Sequence, residues 1–128
     1  MMLSWNDYRK QLAVGVKEIG QLSPETTKGY LALSAAGQKT DLLGAKVREL
    51  VALAVAVTLR CDGCITVHTE AAIKHGATKE EIAEALGVAT TVNAGAALVY
   101  SARVIDAFKE YPNVTSPREL DSLANPRR

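Results

Sequence analysis

The run of apolar residues from Leu50 to Val57 constrains the fold more than any other segment of this chain. It is interrupted at Thr58 and resumes at Leu59, so it falls far short of the about 18 consecutive apolar residues that indicate a membrane span. We interpret it as part of a helix over about 45–60 that is buried on nearly all sides. Such a helix needs protein against every face. In a chain of 128 residues, other subunits are expected to supply part of that cover.

Composition excludes several classes of protein. A balance of 15 Lys+Arg against 14 Asp+Glu leaves no basic surplus for phosphate contacts, so no nucleic-acid partner is expected. Two cysteines are too few for a disulfide-scaffolded secreted domain, and the N-terminus lacks the basic and apolar regions of a signal peptide. The length suits a single domain over residues 1–128. We therefore predict a cytoplasmic protein with no membrane partner.

Helix start and stop signals divide the chain into about six helices. Each begins at a polar cap, a proline or a capping box, and several end near a glycine. The predicted helices cover about 4–20, 23–37, 45–60, 62–76 and 79–109, with two helices in the last range. No alternation of polar and apolar residues favours strands. The sequence predicts an all-α, single-domain helical bundle with a surface extension from Tyr111 to Arg128.

The candidate chemistry lies in the segment from Cys61 to His68. Two cysteines three positions apart at a turn into a helix can close a small disulfide, and the helix N-terminus lowers the pKa of a thiol there from about 8.5. His68 lies four residues after Cys64, on the same helix face, where its imidazole can take up or return a thiol proton. Gly63 offers backbone freedom for the turn. The pattern predicts dithiol redox chemistry in which Cys64 is activated by the base and Cys61 resolves, with these roles reversed if the turn exposes Cys61 more.

Three other interpretations of these residues stay open. The cysteines can be small core side chains and His68 a hydrogen-bonded polar group. Zinc bound by Cys61, Cys64, His68 and Glu49 would stabilise a structural oligomer, although a second close pair of ligands is missing. A lyase acting on a small lactone or acid would use His68 for proton transfer. The redox interpretation requires no cofactor and no metal.

Glu49 stands one position before the apolar run. A buried carboxylate needs a partner, and the sequence equally allows an ion pair with Lys46 near an exposed helix start. Twelve residues of helix place Glu49 about 18 Å from Cys61. Glu49 can therefore serve the thiols only if the helices cross steeply or if a neighbouring subunit supplies one of the partners.

The spacing of Glu49, Cys61, Cys64 and His68 resembles the signature of alkyl hydroperoxidase D-like proteins in the carboxymuconolactone decarboxylase family. The similarity extends over about residues 42–108, which form the family-like core. The combined spacing of all four residues is more specific than a Cys-x-x-Cys pair alone. The decarboxylase branch of the family generally lacks the cysteine pair.

The resemblance implies an all-helical fold, homo-oligomers that are trimers or hexamers, and a cysteine-based peroxidase or disulfide-reductase activity. It implies a redox pair at Cys61 and Cys64, and a water-assisted proton relay at Glu49 and His68. A peroxide substrate and a reducing thiol or disulfide partner protein follow from that activity. One departure is Gly63, where the best-known members carry a histidine immediately before the second cysteine.

Overall fold

The structure of the chain is a computed structural model that describes residues 2–111, 121 and 124. Five α-helices occur in this part of the chain: α1 (Trp5–Leu22), α2 (Pro24–Thr40), α3 (Ala45–Leu59), α4 (Asp62–Lys74) and α5 (Lys79–Glu110). These residues include no strand, which confirms the all-α prediction. Of the predicted surface extension, all but three residues lie outside the described residues.

The structure has one long helix where the sequence predicts two. The 32-residue α5 is continuous from Lys79 to Glu110. Gly87 and Gly95 lie within it and neither has a positive φ, so neither breaks the helix. Because no proline falls in this range, nothing else interrupts the backbone hydrogen bonds.

Of two helix starts that the sequence predicts from polar caps, one is capped by a side chain and the other is not. Thr78 and Glu81 form the predicted capping box, because the Thr78 N–H donates to Glu81 Oε2 at 2.9 Å and the Glu81 N–H donates to Thr78 Oγ1 at 3.1 Å. Ser4 stands at the start of α1, but its hydroxyl donates to Asp7 Oδ2 at 2.6 Å and caps no backbone N–H. At the other end, α2 extends past the predicted stop at Gly37 and ends where Asp41 adopts the left-handed conformation.

The chain divides into two compact units, Met1–Thr91 and Val92–Arg128. In the first unit α3 packs against α4, and α1 packs against both α2 and α4. The second unit is described mainly as the C-terminal part of α5. Its large apolar side chains are mostly exposed in the single chain: Leu98, Val99, Tyr100, Val104, Ile105 and Phe108. The single domain over residues 1–128 stays a prediction.

Within the single chain, α3 is buried along one stripe only. Leu53 and Ala56 are buried, whereas Val51, Val55 and Leu59 are 52%, 51% and 70% exposed. Burial on nearly all sides is therefore not achieved by this chain alone. Three of the four buried apolar residues described are alanines, which allow the packed helices to approach closely.

By length and composition, α5 could also cross a membrane. A single helix of this kind is a weak indication of a membrane span, because a helix covered by other protein has the same composition. Only 6% of the 18-residue apolar stretch within α5 is buried in the single chain, so this apolar surface needs a cover of some kind.

An ion pair joins the start of α3 to the start of α5. Lys46 Nζ lies 2.8 Å from Glu81 Oε1, so Lys46 does not form the alternative pair with Glu49. The hydrogen bond from Lys46, followed by the one from the Thr78 N–H, holds the pKa of the Glu81 carboxyl below its ordinary value. A lowered pKa in the folded state contributes stability above the ordinary glutamate pKa, and that contribution is lost as the pH falls through the folded value.

We expect Glu81→Gln to lower the melting temperature at pH 7 and to have a smaller effect as the pH is lowered. The glutamine retains an oxygen that can accept from the Thr78 N–H but loses the charge that Lys46 contacts. Thermal unfolding of both proteins between pH 7 and pH 3 measures the difference. Glu80→Gln, which changes the neighbouring exposed carboxylate on the same turn, is the matched control. If the Tm difference between the two proteins did not become smaller as the pH falls, the charge of Glu81 would not be the source of the stabilisation.

Candidate functional site

The two cysteines stand at the start of α4 and are joined to each other. Cys61 is the residue that caps the helix, and its Sγ accepts a hydrogen bond from the Cys64 N–H at 3.2 Å. The two residues form a disulfide, with their Cα atoms 5.3 Å apart. Both are half-buried. The pairing agrees with the sequence prediction, and one sulfur also satisfies a backbone donor at the helix N-terminus.

A single residue in the left-handed conformation positions this turn directly after α3. Arg60 has φ 53°, and its N–H donates to the carbonyls of Ala56 and Val57. The Cys61 N–H also donates to the Ala56 carbonyl, at 3.1 Å. The chain therefore reverses within two residues, and α3 and α4 lie side by side. Sequence reasoning missed Arg60, because a non-glycine residue carries no signal for this conformation.

Glu49 and His68 meet across α3 and α4 within one chain. Glu49 Oε2 lies 2.7 Å from His68 Nδ1, and both side chains are half-buried. The distance problem is solved because Glu49 contacts His68, one turn beyond Cys64, rather than a cysteine. A carboxylate only accepts hydrogen bonds, so Nδ1 carries the proton and Nε2 of a neutral ring is left to accept one.

The Glu49–His68 pair borders a cavity of about 660 Å³ between α2, α3 and α4. Tyr30 and His75 line the same cavity. Arg48 also lines it and is held by Asp41, with Nη1 2.6 Å from Oδ1. The cavity gives water or a small molecule a route to the carboxylate and the imidazole.

Gly63 has a different role from the one that the sequence suggests. Its φ is not positive, so the turn does not depend on the backbone freedom of a glycine. A Cβ atom at this position would lie 2.9 Å from Cδ2 of Leu12 on α1. The glycine makes room for a neighbouring helix, which no signal in the sequence indicates.

The zinc alternative would require the reduced form of the two cysteines. Its four ligands include two thiolates, whereas the sulfurs of Cys61 and Cys64 are bonded to each other. Among residues 2–111, 121 and 124, no group of three or more His, Cys, Asp or Glu side chains is placed to hold a metal ion. The geometry instead combines a redox-capable sulfur pair with a nearby carboxylate and imidazole.

Comparison with known proteins identifies the family. Residues 24–107 match the carboxymuconolactone decarboxylase family. The chain belongs to this family. An uncharacterized protein of Haemophilus influenzae is 44% identical over 108 residues, which cover 84% of this chain and 96% of that protein. A further uncharacterized protein, from Cupriavidus necator, is 32% identical over 70% of this chain and 80% of its own length.

A solved structure gives the same family assignment. The apo form of a carboxymuconolactone decarboxylase family protein from Legionella pneumophila is 34% identical, with a TM-score of 0.66. The similarity covers 84% of this chain and 96% of that one. The match of residues 24–107 to the family begins after α1, so the helix that contacts Gly63 precedes the part that defines the family.

We expect His68→Ala to slow alkylation of the reduced thiols about tenfold near pH 7 and to move the pH profile of the rate. The reason is that a thiol beside the imidazole loses its proton acceptor. Rates of reaction with iodoacetamide are measured from pH 5 to pH 9. His75→Ala is the matched control, because His75 is the other histidine in the chain and is exposed at the end of α4. Superimposable profiles for wild type and His68→Ala would show that His68 controls neither thiol.

Proposed function

We propose that this protein is a thiol oxidoreductase whose Cys61 and Cys64 cycle between a dithiol and a disulfide. The observation that carries the proposal is the disulfide at the start of α4, one turn before a histidine that is paired with Glu49. The N-terminus of a helix favours the thiolate form of cysteines that stand there. Membership of the carboxymuconolactone decarboxylase family supports the same assignment, since that family includes alkyl hydroperoxidase D-like enzymes.

The proposed oxidation consumes one peroxide. The Cys64 thiolate attacks the outer oxygen of a hydroperoxide ROOH, the O–O bond breaks, and the alkoxide takes a proton and leaves as ROH. Cys64 becomes a sulfenic acid. The Cys61 thiolate then attacks the Cys64 sulfur, the S–O bond breaks, and the hydroxyl group takes a proton and leaves as water. Two thiols and one peroxide give one disulfide, one alcohol and one water.

The proposed reduction uses a dithiol partner. A partner thiolate attacks the disulfide to form a mixed disulfide, and the second partner thiol releases it, so the partner is oxidised as Cys61 and Cys64 are reduced. Run in the opposite direction, the exchange is a disulfide-reductase activity: the Cys61 and Cys64 dithiol reduces a disulfide of a partner protein and is itself oxidised to the disulfide, which a second thiol reductant then reduces again. A cytoplasmic location, which we also propose, would supply thiol reductants for this step.

In this mechanism, each residue around the cysteines has a separate role in proton transfer. His68 Nε2 accepts the Cys64 proton, directly or through water, and Glu49 orients the ring through Nδ1. The Cys61 sulfur accepts from the Cys64 N–H, which stabilises negative charge on Cys61 as it resolves the sulfenic acid. The cavity beside Glu49 and His68 connects this relay to solvent.

We also propose that the chain assembles as a homo-oligomer, a trimer or a hexamer. Exposed apolar side chains on α3 and on the C-terminal part of α5 support this, because a second copy can cover them. The small residues from Asn93 to Ala97 allow helices to approach closely. Since Glu49 contacts His68 in its own chain, the proton relay needs no residue from another subunit.

We expect one equivalent of hydroperoxide to remove both thiols of the reduced protein and to lower its mass by two hydrogen atoms within one peptide. In Cys61→Ser, Cys64 stops at the sulfenic acid, which dimedone traps. In Cys64→Ser, dimedone labelling falls to about a tenth or less, because the base-activated sulfur is absent. The double variant Cys61→Ser, Cys64→Ser is the control for thiol-independent chemistry.

Two results would contradict this assignment. Thiols that persist under excess hydroperoxide would exclude the peroxidase activity. Turnover of a small lactone or acid that survives in the double variant would favour the lyase alternative, with His68 as the proton-transfer residue.

We expect light scattering at low micromolar concentration to give three or six times the chain mass of 13.6 kDa. Leu98→Asp, which places a charge on a residue 76% exposed in the single chain, is expected to lower that mass because it disrupts an apolar contact. Leu42→Asp, at a residue 91% exposed between α2 and α3, is the control. A mass of 13.6 kDa for the wild-type protein would reject the assembly.

A further inference from the structure

One face of α1 lies toward α4 and the redox turn. Among the first 15 residues of α1, those that are partly covered are Trp5, Tyr8, Arg9 and Leu12. This spacing of i, i+3, i+4 and i+7 is one stripe of a helix. α1 contains no fully buried residue, and it packs against α2 as well as against α4. The stripe is the contact through which α1 packs on α4.

Leu12 fills the space beside the redox turn that a side chain at position 63 would occupy. A Cβ atom on Gly63 would lie 2.9 Å from Leu12 Cδ2, 3.7 Å from Cδ1 and 3.9 Å from Cγ. When a Cβ atom is added in turn to each of the nine glycines, 2.9 Å is the shortest distance that results. At four of the other glycines, all without a positive φ, an added Cβ would have no neighbour within 4 Å among the described residues outside its own stretch of helix. A side chain at position 63 would therefore require the Leu12 methyl groups to move out of this space.

An ion pair and a shared cavity also lie between α1 and α4. Arg9 forms an ion pair with Glu70, which also contacts Lys74 at 3.0 Å. Trp5 lines a cavity of about 620 Å³ together with Ile65, the residue that follows Cys64. The ion pair joins α1 to the middle of α4, and Leu12 lies beside the redox turn at its start.

We propose that Leu12 is a positioning residue for the dithiol: through Leu12, α1 covers the turn at Gly63 and limits the access of thiol reagents and reductants to Cys61 and Cys64. The proposal rests on the dithiol function proposed above. It also accounts for glycine at position 63, because a larger side chain there would need the space that Leu12 fills. Thiol reactivity depends on exposure as well as on thiolate content, so a cover beside the turn is a direct means of control.

A volume exchange between the two positions tests this proposal. Leu12→Ala removes the cover, Gly63→Leu displaces it, and the double variant Leu12→Ala, Gly63→Leu returns the leucine side chain to the same space from the other side. Leu22→Ala, which removes the same atoms from an 80% exposed position of α1, is the matched control. Far-UV circular dichroism establishes that each variant retains its helices, and Gly63→Ala replaces Gly63→Leu if the latter does not fold.

Two measurements distinguish the access of reagents to the thiols from the packing of α1 on α4. Trp5 is the single tryptophan of the chain, so acrylamide quenching of its fluorescence reports whether α1 lies on α4. The second readout is the rate of iodoacetamide alkylation of the reduced thiols as a function of pH. Neither measurement requires turnover, so a protein without peroxidase or reductase activity would refute the proposed function and still test the role of Leu12.

We expect each single variant to alkylate about threefold faster than wild type, with stronger quenching of Trp5 and an unchanged pH midpoint. The double variant is expected to return to within about twofold of wild type, as coupled neighbouring positions do. Leu22→Ala should match wild type. Independent effects of the two substitutions, so that the double variant is the fastest of all, would overturn the proposal. Equal alkylation rates in wild type, both single variants and the double variant would overturn it as well.

Discussion

The reversal of the chain at Arg60 determines where every residue of the candidate site lies. A left-handed conformation at a residue other than glycine costs about 1 kcal/mol, and here the carbonyls at the end of α3 and the packing of α3 on α4 offset it. Burial of Leu53 alone contributes on the order of 2 kcal/mol. Because the connection is so short, the register between the two helices is fixed, and that register brings Glu49 to His68.

The sequence predicted those features that depend on local signals. The capping box at Thr78 and Glu81 and the disulfide between Cys61 and Cys64 involve residues three positions apart, so spacing alone indicates them. The all-α fold follows in the same way from helical periodicity. Spacing could not show that α5 is continuous, since small residues such as Gly95 are compatible both with a helix and with a break.

The features that the sequence could not predict are contacts between separate helices. The sequence offers Lys46 two carboxylates, and in the folded chain Lys46 pairs with Glu81 whereas Glu49 pairs with His68. The contact between Leu12 and Gly63 joins residues 51 positions apart, and neither residue type marks the other. In the sequence, Gly63 suggested a turn that needs backbone freedom. In the structure, its missing side chain leaves room for Leu12.

The hydrogen bond from the Cys64 N–H to the Cys61 sulfur has a consequence for the proposed redox cycle. The acceptor is the sulfur atom itself, and a thiolate accepts hydrogen bonds at least as well as a disulfide sulfur does. The first turn of α4 can therefore keep its cap in both oxidation states. A redox centre whose backbone support is the same before and after electron transfer needs little rearrangement of the protein, which keeps the barrier to repeated cycling low.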